Sequence, residues 1–350
     1  MTPWQRLAYD LAQATRVAWF LGHSRLAGQL SPPLLEPVEV GGALPTRAEL
    51  LRDLFALLRQ DRANIAAGLY RLPDDLAPDP RAAWRASRRF LADLGRVGLR
   101  RRRGGDREVA GTAAQTRYPA YYLRNFHYQT DGYLSERSAE LYDFQVEVLF
   151  NGAADAMRRQ ALAALAEYLR GRRLADQPLL DVACGTGRFL RAVKHNYPRL
   201  PVVGLDLSRP YLAEARRALA RWSWVRLVEG AAERLPFADA SFAAVTSIYL
   251  LHELPRRVRA QAVREMARVL RPGGLLVLVD SLQLGDEPAF DGLLDLFPAA
   301  YHEPYYADYV RHDVVPLLAS AGLRPVERTR AHMSKIVAAA KPQTPGGTCH

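Results

Sequence analysis

The chain has 350 residues, with 48 Lys and Arg against 37 Asp and Glu, and 49% of its residues are hydrophobic. This length accommodates roughly one and a half to three domains, and the lack of an apolar run of about 18 residues predicts a soluble protein. Charged residues interrupt the apolar N-terminus, so no signal peptide is expected. The only cysteines are Cys184, in a predicted turn, and Cys349, in the tail, so no disulfide framework is expected and a cytoplasmic location is predicted.

The positive charge comes almost entirely from arginine, and lysine occurs only three times. Abundant Arg and Ala together indicate a compositional bias rather than a selected surface, so a nucleic-acid partner is not expected. The one dense cluster is Arg100–Arg103, followed by Gly104 and Gly105. Two interpretations stay open: a solvated helix end beside a flexible linker, or a contact with phosphates or an anionic membrane.

Residues 1–103 are predicted to form a mostly helical accessory domain. Thr46 and Glu49 have the spacing of a capping box before the apolar run that begins at Leu50. The glycines between 104 and 117 predict a linker. No residue of this region has a pattern that indicates chemistry.

Residues 118–133 are unusually rich in tyrosine and contain His127. Large rings with hydroxyl groups suit a lid that contacts a ligand, in which Tyr121, Tyr122 and Tyr133 would touch the substrate. The alternative is an aromatic seam between the accessory domain and the core. Ser135 to Arg170 then predicts two helices with a break at Asn151-Gly152, so 118–170 is assigned to an aromatic lid and covering helices.

A strand, a tight turn and a helix start follow one another in residues 178–190, PLLDVACGTGRFL. Gly185 and Gly187 allow unusual backbone dihedrals and a close approach of a ligand to the main chain. About 25 residues further on, Val202–Leu205 predicts a second buried strand that ends in Asp206, a position from which a carboxylate reaches ribose hydroxyls. Strand and helix patterns alternate up to Gly274, which is typical of a parallel α/β sheet covered on both faces.

These motifs, with GAAERLPF at 230–237 and EMARVLRPGG at 265–274, resemble the class I S-adenosylmethionine-dependent methyltransferases. The resemblance spans roughly Leu141–Lys341 and is strongest to the ubiquinone/menaquinone C-methyltransferase branch. It implies S-adenosylmethionine as cofactor and a Rossmann-like seven-stranded sheet in the order 3-2-1-4-5-7-6, with the last strand antiparallel. The core domain is placed at 171–341, before a disordered tail at 342–350.

Ligands of open α/β sheets bind at the carboxyl ends of the strands. This rule predicts one crevice bounded by Asp181, the loop Gly185–Gly187, Asp206, Ala232, Glu233, Ile248 and Tyr249. By resemblance, Ala183, Cys184 and the glycines face the methionine part of the cofactor, Asp206 binds the ribose diol, Leu207 stacks on adenine and the Ala232 backbone lies at its edge. The chain departs from the family at Ala231 and Ala243, where aspartate is common.

Methyl transfer is an in-line displacement, and a base is needed only when the acceptor must first lose a proton. His252, which follows the fourth predicted strand, is the first candidate. Further catalytic candidates are His127, Tyr249, His302 and Tyr306, and Tyr305 is a candidate for contact with the substrate. The residues around 302–306 have no recognised metal-ligand spacing, so no metal is proposed.

The sequence therefore predicts an S-adenosylmethionine-dependent methyltransferase that acts on a small aromatic or apolar acceptor. Position 247 begins Ser-Ile-Tyr-Leu and lacks the Asn/Asp-Pro-Pro-aromatic motif of enzymes that methylate amino groups of bases. Two alternatives remain open: an RNA or protein methyltransferase that uses the basic N-terminal half, and a cofactor-binding protein that does not methylate, such as a cyclase. The oligomeric state is not predicted.

Overall fold

The computed structural model describes residues 1–30, 40–77, 79–103 and 117–343. The chain divides into two compact units: the helical unit, Met1–Met157 with Pro288–Pro304, and the sheet unit, Arg158–Glu287 with Tyr305–His350. Pro288–Pro304 thus belongs to the helical unit, although it falls within the core domain 171–341 drawn from the sequence. The predicted linker, apart from Arg117, and most of the predicted tail lie outside the described residues. The roles assigned to the accessory, lid and core segments stay predictions.

The helices within the described residues are α1 (Pro3–Leu30), α2 (Arg47–Ala66), α3 (Pro80–Arg103), α4 (Glu136–Leu149), α5 (Ala154–Arg159), α6 (Ala161–Leu169), α7 (Arg188–Asn196), α8 (Arg209–Leu219), α9 (Arg256–Val269), α10 (Asp291–Tyr301), α11 (Tyr306–Val310) and α12 (Val314–Ser320). The strands are β1 (Leu179–Val182), β2 (Val202–Asp206), β3 (Val225–Glu229), β4 (Phe242–Ile248), β5 (Leu270–Ser281), β6 (Arg324–Ala331) and β7 (Ser334–Ala340). None of the described helices is long and apolar enough to cross a membrane.

The predicted capping box at the start of α2 is confirmed. The Thr46 hydroxyl accepts the Glu49 N–H at 3.2 Å, and the Glu49 carboxylate accepts the Thr46 N–H at 2.7 Å. Further along α2, buried Asp61 accepts hydrogen bonds from the hydroxyls of Tyr9 (2.6 Å) and Tyr70 (2.8 Å). These bonds tie α2 to α1 and satisfy a carboxylate that is fully buried.

An aromatic cluster joins α1, α3 and α4. The rings of Phe20 and Phe144 lie 5.2 Å apart, and those of Phe90 and Phe144 lie 5.3 Å apart. Arg100 of α3 is only 8% exposed, and its guanidinium donates to the Thr130 hydroxyl at 3.5 Å. At Arg100 the expectation of a solvated helix end is therefore wrong, because the side chain folds back against the helical unit.

The tyrosine-rich segment packs inside the helical unit. Its rings contact one another in series, from Tyr118 to Tyr122 (5.6 Å), to Tyr133 (5.9 Å) and on to Tyr142 of α4 (6.0 Å). Helix α10 packs against the segment before α2, since a Cβ on Gly292 would lie only 2.6 Å from the carbonyl oxygen of Gly42. This close approach explains why Pro288–Pro304 belongs to the helical unit.

The sheet has the strand order β3-β2-β1-β4-β5-β7-β6, which confirms the predicted fold. The first five strands pair in parallel, and β7 runs antiparallel to both β5 and β6. All four residues of β1 are buried, because the central strand of such a sheet is covered on both faces. Two further helices, α11 and α12, lie between β5 and β6 in the chain, and Asp313 caps α12 by accepting the Val315 N–H.

Candidate functional site

The turn between β1 and α7 has three residues in the left-handed region: Ala183 (φ 60°), Gly185 (φ 55°) and Gly187 (φ 78°). The two glycines serve different purposes. A Cβ on Gly187 would lie 3.1–3.2 Å from Leu219 and Ala215, so glycine is needed there for the packing of α8. A Cβ on Gly185 would meet no atom within 4 Å, so the main chain at Gly185 borders open space that a ligand can enter.

Asp206, at the end of β2, links the turn to the neighbouring strand. One carboxylate oxygen accepts the Gly185 N–H and the other accepts the Ser208 N–H, both at 2.8 Å. Burial raises the pKa of Asp206 to about 6, although the N–H groups of Ser208 and Gly185 oppose this shift. At neutral pH the group is therefore mostly an ionised acceptor, with lone pairs left for a hydroxyl donor.

Asp181 lies within β1 and is 1% exposed. Burial raises its pKa to about 7, the hydroxyl of Thr246 lowers it through a 2.6 Å hydrogen bond, and the charge of Asp206 raises it further. Burial also raises the pKa of Cys184 well above its ordinary value. Cys184 is thus a neutral thiol in this turn and not a nucleophile.

The other residues predicted to bind the cofactor lie at the same edge of the sheet. The Gly230 N–H donates to the Asp206 carbonyl oxygen at 3.0 Å, which brings the loop of Ala232 and Glu233 to the end of β2. Leu207 and Ile248 are half-buried, whereas Asp206 and Ser208 beside Leu207 are buried. The hydroxyl of Ser247, which pairs in register with Val182, is buried without a hydrogen-bond partner among the described residues. An acceptor carboxylate, open space at Gly185 and an unsatisfied hydroxyl fit a nucleoside-containing cofactor.

His252 and Asp280 form a buried pair that sequence reasoning did not join. Nδ1 of His252 lies 2.5 Å from Oδ1 of Asp280. Oδ1 also accepts the Ser281 N–H at 2.8 Å, and Oδ2 accepts the Leu251 N–H at 2.7 Å. The Asp280 oxygen acts as the acceptor of the contact with the imidazole, so His252 donates from Nδ1. The neutral imidazole then has its lone pair on Nε2.

Arg259 holds the turn that presents His252, and no sequence motif indicates this role. Its side chain is 2% exposed and donates to the carbonyl oxygens of Leu251 (2.8 Å) and Leu254 (2.9 Å). It also pairs with Asp308 of α11 at 3.0 Å. With these three contacts the guanidinium ties α9, the turn and α11 into one rigid support.

Two tyrosines of α11 pack against the imidazole. The ring centroids of Tyr306 and Tyr309 lie 5.8 and 6.1 Å from that of His252. The Tyr306 hydroxyl lies 2.6 Å from the Ser281 hydroxyl, and the Tyr309 hydroxyl donates to the Ser281 carbonyl oxygen at 2.9 Å. Tyr309 was missed in the sequence, although its spacing of three from Tyr306 within a helix places both on one face.

Tyr249 follows β4 with φ at 59°, and its hydroxyl lies 2.9 Å from the hydroxyl of Ser334 in β7. The hydroxyl of Tyr249 is thus engaged with a strand of the sheet, and this contact suits a supporting residue better than a proton carrier.

Tyr305 immediately precedes α11 in the sheet unit, and its carbonyl oxygen accepts from Arg259 at 3.5 Å.

The remaining predicted site residues belong to the helical unit: Tyr121, Tyr122, His127, Tyr133 and His302. In that unit, Nε2 of His127 lies 3.0 Å from the buried carboxylate of Glu303, and Tyr133 stacks on Phe126 with 5.5 Å between centroids. Their assignment to catalysis or substrate contact stays a prediction.

A sheet in this order, with a glycine turn after β1 and an acid at the end of β2, defines the class I S-adenosylmethionine-dependent methyltransferase fold. Residues 179–274 match the family described as "Methyltransferase domain". This part of the chain is therefore a class I methyltransferase domain.

The relatives of this domain are named for different substrates. A demethylmenaquinone methyltransferase of Deinococcus radiodurans is 39% identical over 41% of this chain and 56% of its own, and that of Thermus thermophilus is 38% identical over 41% and 61%. A malonyl-[acyl-carrier protein] O-methyltransferase of Xylella fastidiosa is 36% identical over 34% of this chain and 39% of its own. The chain thus spans about half the length of the first two relatives.

Proposed function

We propose that this protein transfers a methyl group from S-adenosylmethionine to a small aromatic or apolar acceptor. The observation that carries the proposal is the network at the carboxyl edge of the sheet, where Asp206 joins the Gly185 turn to β2. The named relatives support it, since two of them act on demethylmenaquinone by name.

The cofactor supplies a methyl group on an activated sulfonium, so the protein's main task is alignment. Asp206 accepts hydrogen bonds from the ribose hydroxyls while its two N–H partners hold it in place. Half-buried Leu207 offers an apolar surface to the adenine ring. The open main chain at Gly185 admits the methionine end, and neutral Cys184 adds no competing charge.

His252 is the proton acceptor when the acceptor molecule must lose a proton. Asp280 fixes the Nδ1–H tautomer, and it stabilises the imidazolium that forms when Nε2 takes a proton. Asp280 and Arg259 act as positioning residues, because they hold the imidazole and the turn that carries it.

Incubation with methyl-labelled S-adenosylmethionine tests the proposal. We expect label in an organic-extractable product from a panel that includes demethylmenaquinone, other phenols and a malonyl thioester, and no label with Asp206→Ala. Label that appears only in RNA or protein when cell extract is supplied would contradict the small-molecule acceptor. Cofactor binding without transfer to any fraction would favour the non-methylating alternative.

A further inference from the structure

The helical unit contains a cavity of about 400 Å³ that the proposal above does not use. Its walls come from α1, α3, α4, α10 and the segment of His127 and Gln129. The volume falls in the range of small-molecule binding sites, roughly 300–1,000 Å³. Leu94, Val97 and Val148 make much of the wall apolar, and Gly28 leaves room on the α1 side.

Among the residues that line the cavity is a buried acid, Asp93. The residue is 1% exposed, and its Oδ1 accepts hydrogen bonds from the Thr130 hydroxyl and the Arg137 guanidinium, both at 3.1 Å. Its Oδ2 is buried and has no hydrogen-bond partner among the described residues. A buried acceptor without a hydrogen bond loses the stabilisation that it would have in water, so Oδ2 favours a ligand that donates a hydrogen bond. Arg137 already balances the negative charge of Asp93, so the ligand does not need to be cationic.

The neighbouring polar residues are held in fixed positions before any ligand enters. Gln129 is 3% exposed; its amide donates to Gln145 at 3.0 Å, and its oxygen accepts from the Ser138 hydroxyl at 3.3 Å. His127 has a left-handed backbone (φ 54°) and lies 3.0 Å from Glu303. Residues held in such sparsely populated conformations are concentrated at ligand sites.

We propose that this cavity binds a small, largely apolar molecule with a hydroxyl or amino group that donates to Oδ2 of Asp93. The apolar wall provides affinity through burial, and the single acceptor selects molecules with a donor. The site lies within the helical unit, and the proposal holds whether or not the sheet unit transfers methyl groups.

Two probes of nearly equal shape test this selection on the full chain. 2-Naphthol carries a hydroxyl donor, and 2-methoxynaphthalene lacks one. We expect 2-naphthol to bind at least about tenfold more tightly, the effect of one hydrogen bond to a charged acceptor. In Asp93→Asn this preference should disappear while 2-methoxynaphthalene binds as before, which also shows that the variant is folded. Equal affinity of the two probes for the wild type, or no binding of 2-naphthol, overturns the proposal.

A matched pair of glycine variants tests whether 2-naphthol binds in this cavity. Gly28 shares a face of α1 with Ser24 and Ala27, which also line the cavity, whereas Gly22 is on the same helix but does not line it. A Cβ at either glycine meets no atom within 4 Å. Gly28→Phe should weaken 2-naphthol binding at least about tenfold, and Gly22→Phe should leave it unchanged. Equal effects of the two substitutions on 2-naphthol binding would contradict the assignment of this cavity as the binding site. S-adenosylhomocysteine binding, measured on both variants, reports separately on the sheet unit.

Discussion

Asp206 is the residue whose charge state bears most directly on cofactor binding. We expect Asp206→Asn to weaken S-adenosylhomocysteine binding by about 1.5–3 kcal/mol, because the amide turns one acceptor into a donor that faces the Gly185 or Ser208 N–H. Calorimetry at pH 8 measures the loss. Asp176→Asn is the control, since that side chain is 60% exposed and lies before β1. Equal affinities of wild type and Asp206→Asn would rule out the assigned role.

The raised pKa of Asp206 predicts that S-adenosylhomocysteine binding depends on pH. The pKa of Asp206 is raised from 3.8 to about 6, so the carboxylate becomes protonated and loses acceptor capacity as the pH falls through 6. Wild-type affinity for S-adenosylhomocysteine should therefore decrease between about pH 7 and pH 5. A smaller decrease is expected for Asp206→Asn, and titrations of both proteins across this range make the comparison. An identical pH profile for the two would assign the dependence to another group.

The role of His252 as a general base is tested by measuring turnover and S-adenosylhomocysteine binding separately. A general base contributes about 10²–10⁴ in rate, so His252→Asn should lower kcat at least a hundredfold for an acceptor that must lose a proton. Its affinity for S-adenosylhomocysteine should stay the same. Asp280→Asn should lower kcat as well and alter the pH profile, since the amide no longer stabilises the imidazolium. His195→Asn serves as control because it lies in the last turn of α7, and the idea fails if all three variants turn over alike.

At the scale of the element, the turn between β1 and α7 separates a structural glycine from a ligand-facing one. Gly187→Ala combines a left-handed backbone with contacts of 3.1–3.2 Å, so it should lower the free energy of unfolding more than Gly171→Ala, which has φ of 73° but open space. The backbone alone costs about 1–2 kcal/mol at such positions. Gly185→Ala should resemble Gly171→Ala in stability and differ from it by weaker S-adenosylhomocysteine binding. Denaturant titration and calorimetry on the three variants give both quantities, and equal stability of the Gly187 and Gly171 variants would contradict this division.

At the scale of the whole molecule, the net charge of +11 does not by itself indicate a polyanion partner. Several arginines of the sheet unit are engaged in ion pairs, such as Arg268 with Glu265 and Asp239, and Arg256 and Arg259 with Asp308. We expect methylation of a small acceptor to change less than about twofold between 50 and 200 mM salt. Binding that involves 6–10 phosphate contacts would fall by about 10³–10⁵ over that range. A steep loss of activity with salt would therefore favour the RNA alternative.

The sequence by itself determined the glycine turn, the acid at the end of β2 and the capping box of α2, because each depends on short-range patterns within one segment. The strand order was expected only because these motifs together resemble a known family, since it depends on pairing between distant segments. Only the tertiary structure joined His252 to Asp280, buried Arg259 beneath the turn of His252, and placed Pro288–Pro304 in the helical unit. It alone also enclosed the cavity beside Asp93. These features bring together side chains from distant segments, and their contacts depend on strand register and helix packing. Local periodicity specifies which face of an element is buried, but it does not specify which residue of another element lies against that face.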